Sequence, residues 1–308
     1  MIGCRITGWG TALPDKVVTN ADLEARLDTS DAWITERTGI KERRVGGTTC
    51  GLAVEAGEKA LARAGRSGAE VDCLLLATTT PDQTVPATSA TVQHELGIPG
   101  GAFDLNAACS GFVYGLVVGA GLITTGMDKV LVVGAETLSR ITDPDDRGTI
   151  ILFGDGAGAV VLEADDERPS LLGWDIGCDG SARHLLYCDV GGWIQMEGRE
   201  VFRRAVRVMV DSANRTFAKA GVTVDDVALV VPHQANQRII DAACQRLGVP
   251  AERVSSVLAR TGNTSSASIP LALAEAADTG RLSPGDLVLL VGFGAGMTWA
   301  SALLRWEP

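Results

Sequence analysis

Short, mostly apolar runs alternate along the chain with stretches in which apolar residues recur at helical spacing. Residues 71–77 and 129–134 are such runs in the first half, and 227–233 and 286–292 are similar runs in the second. A short continuous apolar run predicts a strand that is buried on both faces. Strands of this kind separated by helices predict parallel sheets covered by helices, so the predicted fold class is α/β.

The order of these elements occurs twice. In each half an apolar strand precedes a helical stretch that ends in similar residues, Leu96-Gly-Ile-Pro99 in the first half and Leu247-Gly-Val-Pro250 in the second. A short strand, a helix start rich in glycine and serine, and a hairpin-like pair of strands follow in both. The repeat predicts two similar βα halves about a pseudo-twofold axis, 1–167 and 168–308.

One uncharged stretch, residues 105–127, is long enough to span a bilayer. It contains polar residues and five glycines, which are poorly suited to a lipid-facing helix. We predict instead the end of a strand followed by a buried central helix. Gly111, Gly115 and Gly119 would let that helix approach its neighbours closely.

Composition narrows the class of protein. Hydrophobic residues make up 46% of the chain and charged residues 21%, as in soluble globular proteins. A formal net charge of −11 argues against binding to nucleic acid, which requires a basic face. The seven cysteines are scattered without a CxxC pair, so neither a zinc site nor a redox pair is indicated. The chain does not open like a signal peptide, and we expect a cytoplasmic protein with reduced thiols.

Cys109 is the first candidate for chemistry. It lies between a short strand and the predicted central helix. Unpaired N–H groups and the helix dipole at such a position favour a thiolate, which is the nucleophilic form of cysteine. The alternative is a small buried residue that only packs.

His233 and Asn263 add two polar groups at comparable positions. His233 ends an apolar strand, and Asn263 lies in a glycine-containing turn that is the counterpart of the Cys109 loop. Each alone has a structural alternative, as a buried histidine or as a cap or turn asparagine. Open α/β sheets place their chemistry at such strand ends, so the three residues are expected at one cleft. Two N–H donors aimed at one point would form an oxyanion hole for a thioester enolate.

Two glycine-rich stretches need separate interpretations. In 291–299, the backbone N–H of Ala295 could complete a second oxyanion hole with the N–H of Cys109, and a tight turn is the alternative. The stretch 153–158 lacks the spacing of a phosphate loop. We interpret it as a structural turn.

Four short motifs together resemble one family. Each is weak alone, but their order and the 30 positions from His233 to Asn263 are specific. The motifs are Ala108-Cys-Ser-Gly-Phe112, His233-Gln-Ala-Asn236, Gly262-Asn-Thr-Ser265 and Gly294-Ala-Gly-Met-Thr-Trp299. Over essentially the whole chain, the sequence resembles β-ketoacyl-acyl carrier protein synthase III, a family of thiolase-fold condensing enzymes. The resemblance implies a thiolase fold with α/β/α/β/α layers.

The resemblance also implies an activity. Cys109 would accept an acyl group from acyl-coenzyme A, and His233 and Asn263 would stabilise the enolate formed when malonyl-acyl carrier protein loses carbon dioxide. The enolate carbon would then attack the acyl-Cys109 thioester, initiating fatty acid or polyketide synthesis. The family uses no metal or redox cofactor and is homodimeric.

Further matches imply two binding surfaces. The positions that match the coenzyme A channel of the family are Trp33, Arg37, Arg147 and Asn236. Those assigned to carrier-protein docking are Arg203, Gln234, Arg238 and Arg246. The alternative for the coenzyme A positions is an ordinary surface helix. The alternative for the docking positions is a solvated helix face.

The sequence departs from the family pattern at the acyl pocket. Residues 180–195 form a shorter loop than is usual there. Val85 matches a position that often gates the pocket from the partner subunit, and a small residue leaves more room than phenylalanine. We therefore expect longer or branched primers, although the sequence does not identify the acyl group.

Related enzymes and other enzyme classes provide alternative functions. A degradative thiolase would need a second cysteine where this chain has Gly294-Ala-Gly296, and no glutamate motif of hydroxymethylglutaryl-coenzyme A synthases is present. Chalcone-synthase-like enzymes are usually longer. An acyltransferase or condensing enzyme of specialised metabolism remains open. From other classes, a cysteine hydrolase and a non-catalytic binding module are the alternatives.

Overall fold

The computed structural model describes residues 3–165, 167 and 170–308. The strands are β1 Cys4–Ala12, β2 Val17–Thr19, β3 Glu42–Arg44, β4 Cys73–Ala77, β5 Gly101–Leu105, β6 Lys129–Thr137, β7 Asp155–Ala164, β8 Leu171–Cys178, β9 Leu186–Tyr187, β10 Gln195–Met196, β11 Val227–Pro232, β12 Leu287–Gly294 and β13 Thr298–Arg305. The helices are α1 Asn20–Glu24, α2 Asp31–Thr38, α3 Thr49–Ala64, α4 Thr88–Glu95, α5 Gly111–Thr124, α6 Arg147–Ile150, α7 Gly198–Ala220, α8 Gln237–Leu247, α9 Leu258–Thr261 and α10 Ser268–Asp278.

The two halves contain sheets of matching order. The first sheet runs β1-β7-β6-β4-β5 and the second runs β11-β12-β13-β8. In both, a parallel pair (β4 with β6, β11 with β12) continues into antiparallel strands, β7 and β1 or β13 and β8. The short strand predicted to follow the helical stretch of the second half is reduced to a single bridge between Val254 and Val230. The pairing of the hairpin-like strands is confirmed in both halves.

Five layers follow from the helix positions. Helices α3 and α4 cover the outer face of the first sheet, and α7 covers the outer face of the second with α8 beside it. Helices α5 and α10 contact strands of both sheets and form the middle layer. Apolar side chains fill the spaces between successive layers. The layered α/β/α/β/α prediction is confirmed.

The glycines of α5 explain its central position. A Cβ on Gly115 would lie 2.9 Å from Val132 Cγ1, and one on Gly119 would lie 3.0 Å from Leu162 Cδ1. Only residues without side chains allow this separation between helix and sheet. Among the described residues, no helix is both long and apolar enough to cross a membrane.

Two predictions about local structure have different outcomes. The turn predicted over 153–158 is wrong, because Asp155 begins the ten-residue strand β7. The glycines there allow close packing instead, since a Cβ on Gly158 would lie 2.7 Å from Pro270 Cβ in α10. The division between 167 and 168 stays a prediction, and Arg168 itself lies outside the described residues.

Candidate active site

Three loops at strand ends meet at one cavity of about 480 Å³. Cys109, His233 and Asn263 all line it, together with Phe293 from the end of β12. Cys109 lies in a 3₁₀ turn directly before α5, and His233 immediately follows β11. The structure thus brings together the three residues that the sequence predicts at one cleft.

The backbone around the cavity is strained at three places. Ala108, Ser265 and Met297 have φ near 48°, a left-handed conformation that is unusual for residues other than glycine. One lies beside Cys109, one lies two residues after Asn263, and one lies in the turn that contains Ala295. Strain of this kind is retained where the surrounding structure imposes it, commonly at functional sites.

The turn after β12 lies directly against the Cys109 backbone. A Cβ on Gly294 would be only 2.6 Å from the Cys109 nitrogen. Glycine at this position therefore allows Ala295 and Cys109 to lie side by side. This proximity is the geometry that a second oxyanion hole between their N–H groups would need.

The Cys109 thiol is not activated in the way the sequence suggests. Burial raises the pKa of the thiol to about 12, while a side-chain hydrogen bond between Cys109 and Ser265 lowers the value and the charge of Glu136 raises it. The sequence instead predicts a thiolate that is favoured by the helix terminus. Removal of the thiol from water opposes the effect of the helix position and favours the neutral form of Cys109.

His233 is buried and uncharged. Only 1% of the residue is exposed, and burial lowers its pKa to about 3. Its Nδ1 lies 2.6 Å from Ser268 Oγ, and the Phe293 ring packs edge-on against the imidazole at 5.6 Å. Among the described residues, the imidazole forms a hydrogen bond only through Nδ1, and Nε2 forms none. It is therefore the nitrogen available to a ligand in the cavity.

Hydrogen bonds of both the backbone and the side chain fix Asn263 in its loop. Its N–H donates to Leu152 O at 2.8 Å, and its C=O accepts from Gly154 N–H at 3.0 Å. The side-chain oxygen accepts from Ser265 N–H at 2.9 Å. Because that N–H can only donate, the contact identifies the amide oxygen and leaves the NH₂ group available to the cavity.

Glu136 supports the Asn263 loop through hydrogen bonds, and the sequence analysis does not identify it. The carboxylate is fully buried in β6, and its Oε1 accepts hydrogen bonds from Ser265 and Ser266 at 2.9 and 3.0 Å. Its Oε2 accepts from the threonines of the loop after β4, Thr78, Thr79 and Thr80. The Asn263 loop is therefore attached to the half that carries Cys109.

The residues matched to the coenzyme A channel cluster at the mouth of the cavity. The guanidinium groups of Arg37 and Arg147 lie 4.7 and 4.8 Å from the centre of the Trp33 ring. Arg37 also lines the cavity, as does Asn236. Asn236 caps α8 and donates to the Arg37 carbonyl at 3.0 Å, which connects the two segments.

The predicted docking residues divide into three environments. Arg238 lines the cavity, and Arg203 and Arg246 line a neighbouring surface groove of about 320 Å³. Gln234 does not belong with them, because it is 0% exposed. Its amide spans Pro232, Ser255, Val257 and Leu258 by hydrogen bonds inside the protein. Assigning Gln234 to docking was wrong.

A second, larger cavity of about 900 Å³ lies on the other side of Cys109. Its lining includes Ala295 and much of the shortened 180–195 loop, among them Tyr187 and Val190. Val85 is 83% exposed and does not line this cavity within one chain. A role for Val85 at an acyl pocket therefore requires a second copy.

Within the described part of the chain, no group of three or more His, Cys, Asp or Glu side chains is placed to hold a metal ion. The two cavities meet at one thiol, and their lining includes two uncharged side chains that can donate hydrogen bonds and the backbone of Ala295. With two similar βα halves around it, this arrangement defines a thiolase-fold condensing enzyme.

Comparison with known proteins gives the family. The profile of 3-oxoacyl-[acyl-carrier-protein (ACP)] synthase III matches residues 103–180, and its C-terminal profile matches 217–306. A curated β-ketoacyl-[acyl-carrier-protein] synthase III from Roseiflexus castenholzii is 49% identical over 98% of each chain. The chain belongs to the β-ketoacyl-acyl carrier protein synthase III family of acyltransferases.

Solved structures agree with this assignment. The 3-oxoacyl-[acyl-carrier-protein] synthase III of Aquifex aeolicus VF5 is 46% identical, with a TM-score of 0.97 over 99% of this chain and 100% of the other. The priming β-ketosynthase of the R1128 polyketide pathway is 38% identical, with a TM-score of 0.94 over 99% and 97% of the two chains.

Proposed function

We propose that this enzyme condenses an acyl-coenzyme A primer with malonyl-acyl carrier protein through an acyl-Cys109 intermediate. The observation that carries the proposal is the shared cavity, which is lined by Cys109 and by two uncharged donors, His233 and Asn263. A histidine whose pKa is lowered to about 3 is a hydrogen-bond donor at neutral pH and a poor base. This favours enolate stabilisation over base-assisted hydrolysis.

The first half-reaction transfers the acyl group. The sulfur of Cys109 forms a bond to the thioester carbonyl carbon, the bond from that carbon to coenzyme A sulfur breaks, and the thiol proton ends on coenzyme A. The carbonyl oxygen becomes negative in the intermediate, and the N–H groups of Cys109 and Ala295 would stabilise it. Trp33, Arg37, Arg147 and Asn236 would hold the nucleotide and pantetheine at the cavity mouth.

The second half-reaction forms the new carbon–carbon bond. The bond between the malonyl methylene and its carboxylate breaks, carbon dioxide leaves, and the electron pair forms an enolate. His233 Nε2–H and the Asn263 NH₂ group donate to the enolate oxygen. The enolate carbon attacks the acyl-Cys109 carbonyl, and Cys109 leaves as a thiolate that takes a proton from solvent. The steps balance without a metal or a redox cofactor.

The carrier protein would dock on arginines beside the cavity mouth. Arg238 lines the cavity, and Arg203 and Arg246 line the adjacent groove. We also propose a homodimer, because Val85 is exposed on one chain and would reach an acyl pocket only in a partner. The proposed location is the cytoplasm, which fits the seven free cysteines. A valine there favours longer or branched primers.

Mass spectrometry of the intact protein tests the nucleophile and the primer together. Incubation with a panel of acyl-coenzyme A donors should add one acyl group, located at Cys109, and a Cys109→Ser variant should gain none. Continued acylation of that variant at other cysteines would refute the assignment. A preference restricted to acetyl-coenzyme A would refute the expected wider primer range.

A second function is favoured by one comparison. The similarity to a polyketide priming ketosynthase supports a role in specialised metabolism, with the same chemistry on another carrier. Assays with carrier proteins from fatty acid and polyketide systems would separate the two. Release of carbon dioxide that depends on His233 and Asn263 supports either function, whereas acyl-Cys109 hydrolysis without it would indicate a hydrolase.

A further inference from the structure

Ser268 contacts the side of His233 that faces away from the cavity. It lies at the start of α10 and is 0% exposed. Its Oγ lies 2.6 Å from His233 Nδ1 and 3.3 Å from the backbone nitrogen of Gln234. Since a backbone N–H can only donate, the serine oxygen accepts that second hydrogen bond.

The number of hydrogens available at this contact determines which imidazole nitrogen carries the hydrogen. A serine hydroxyl carries one hydrogen, and a neutral histidine carries one N–H. If His233 Nδ1 carried the hydrogen, it would donate to Ser268, and the serine hydrogen would have no acceptor among the described residues. If Ser268 donates to a bare Nδ1, both groups are satisfied. Burying an unsatisfied hydroxyl is unfavourable, so the second arrangement is preferred.

We propose that Ser268 is a positioning residue that holds His233 as the tautomer with its hydrogen on Nε2. In the described part of the chain the imidazole forms its hydrogen bond through Nδ1 and none through Nε2, and the residue lines the cavity. The Phe293 ring packs against the imidazole and further restricts its orientation. The hydrogen-bond contacts of Ser268 therefore determine that His233 presents a donor to the substrate.

The consequence for the reaction rests on the proposed function. An enolate oxygen needs an N–H at Nε2. The opposite tautomer would present a lone pair there, which repels the developing negative charge. Loss of the Ser268 hydroxyl should therefore slow the decarboxylation step while leaving Cys109 acylation nearly intact, because acylation uses backbone donors.

Nitrogen-15 NMR of labelled histidine measures the tautomer without any assay of activity. The chain has three histidines, and the His233 signals are identified by their absence from a His233→Gln variant. We expect the wild type to show the Nε2–H pattern at neutral pH. Ser268→Ala should show a mixture or the Nδ1–H pattern, and Ser268→Thr, which restores a hydroxyl, should return toward the wild type.

Kinetics of the two half-reactions complete the test. For Ser268→Ala, the rate of carbon dioxide release should fall about 10- to 100-fold, while the rate of acylation changes by less than about threefold. The expected decrease is smaller than the decrease caused by removing an oxyanion donor completely. The matched control is Ser255→Ala, because Ser255 is also buried and its hydroxyl donates to Ala272 O of the same helix at 2.9 Å. This variant should keep the wild-type tautomer and the wild-type ratio of the two rates.

Two NMR results would overturn the proposal. They are an Nδ1–H pattern in the wild type, and an unchanged His233 pattern in a folded Ser268→Ala protein. Both are distinct from failure of the proposed function, which would appear as a wild type that releases no carbon dioxide whatever its tautomer. If Ser268→Thr does not fold, the wild-type and alanine spectra still decide the question.

Discussion

At the scale of single residues, the cavity contains neutral groups where ionised ones are often expected. Burial raises the pKa of Cys109 to about 12 and lowers that of His233 to about 3. These shifts disfavour a thiolate–imidazolium pair and a ready general base at pH 7. The reaction fits this state, since its second step needs donors for an enolate and its first step returns the thiol proton to coenzyme A.

The first prediction concerns the free thiol. Because only the thiolate is nucleophilic, alkylation of Cys109 by iodoacetamide should accelerate about tenfold per pH unit from pH 6.5 to 9.5. Peptide mass spectrometry follows the rate at Cys109, and the exposed Cys178 shows that the reagent remains active. A plateau at Cys109 below pH 8 would contradict the raised pKa.

The second prediction concerns acid stability. The folded pKa of His233 lies below its unfolded value of about 6.5, so the unfolded chain binds the additional proton. Stability attributable to the neutral imidazole is full above pH 6.5 and declines as the pH falls toward 3. Relative to His233→Gln, the free energy of unfolding of the wild type should fall by about 2 kcal/mol between pH 7 and 5.

Guanidinium unfolding at both pH values measures this difference. A His94→Gln variant, in which an exposed histidine is replaced, should keep the decline of the wild type because His233 is still present. If the wild type and His233→Gln had parallel pH dependences, His233 would not be the group that titrates.

Residue patterns predicted the residues that meet at the cavity better than the residues that support them. Cys109, His233 and Asn263 follow strands or precede helices, and the repeat placed these loops together. Gln234 was misassigned because neighbouring side chains along an extended chain point to opposite sides, so only His233 faces the cavity. Glu136 and Ser268 lie far in sequence from most of their partners. No local pattern signals such contacts.

At the scale of elements, the repeat created two similar turns with different uses. In each half a residue with φ near 48° begins a 3₁₀ turn before a central helix, and the next residue is Cys109 in one half and Ser266 in the other. The Ser266 hydroxyl contacts Glu136 and the Ala77 carbonyl. The cysteine turn faces the cavity, while its counterpart serves as a structural anchor.

The third prediction concerns the central helix. In Gly115→Ala the new methyl group would meet the stiff Val132 side chain at 2.9 Å, whereas a Cβ on Gly121 of the same helix has nothing within 4 Å. We expect Gly115→Ala to lower the free energy of unfolding by about 1–3 kcal/mol. Gly121→Ala should raise it by about 0.5–1 kcal/mol through helix propensity. Equal effects in denaturant titrations would show that α5 is not tightly packed at Gly115.

At the scale of the whole molecule, charge is distributed unevenly. The chain has a net charge of −11, yet a surface groove beside the cavity mouth is lined by four arginines and one glutamate. The groove residues are Glu200, Arg203, Arg204, Arg207 and Arg246. An acidic carrier protein would be repelled by most of the surface and attracted to this region, so its approach should depend on ionic strength.

The fourth prediction tests that docking surface. Arg238→Glu should raise the KM for malonyl-carrier protein about tenfold or more at low salt, because an attraction becomes a repulsion, while Cys109 acylation by acyl-coenzyme A changes little. Arg305→Glu is the matched control, since Arg305 is exposed at the end of β13, remote from the cavity. Both substitutions change the net charge of the chain from −11 to −13. Salt should reduce the difference between the variants. If Arg238→Glu slowed both half-reactions equally, Arg238 would be assigned to the cavity itself. If Arg238→Glu and Arg305→Glu had equal effects, docking would depend on net charge and not on this surface.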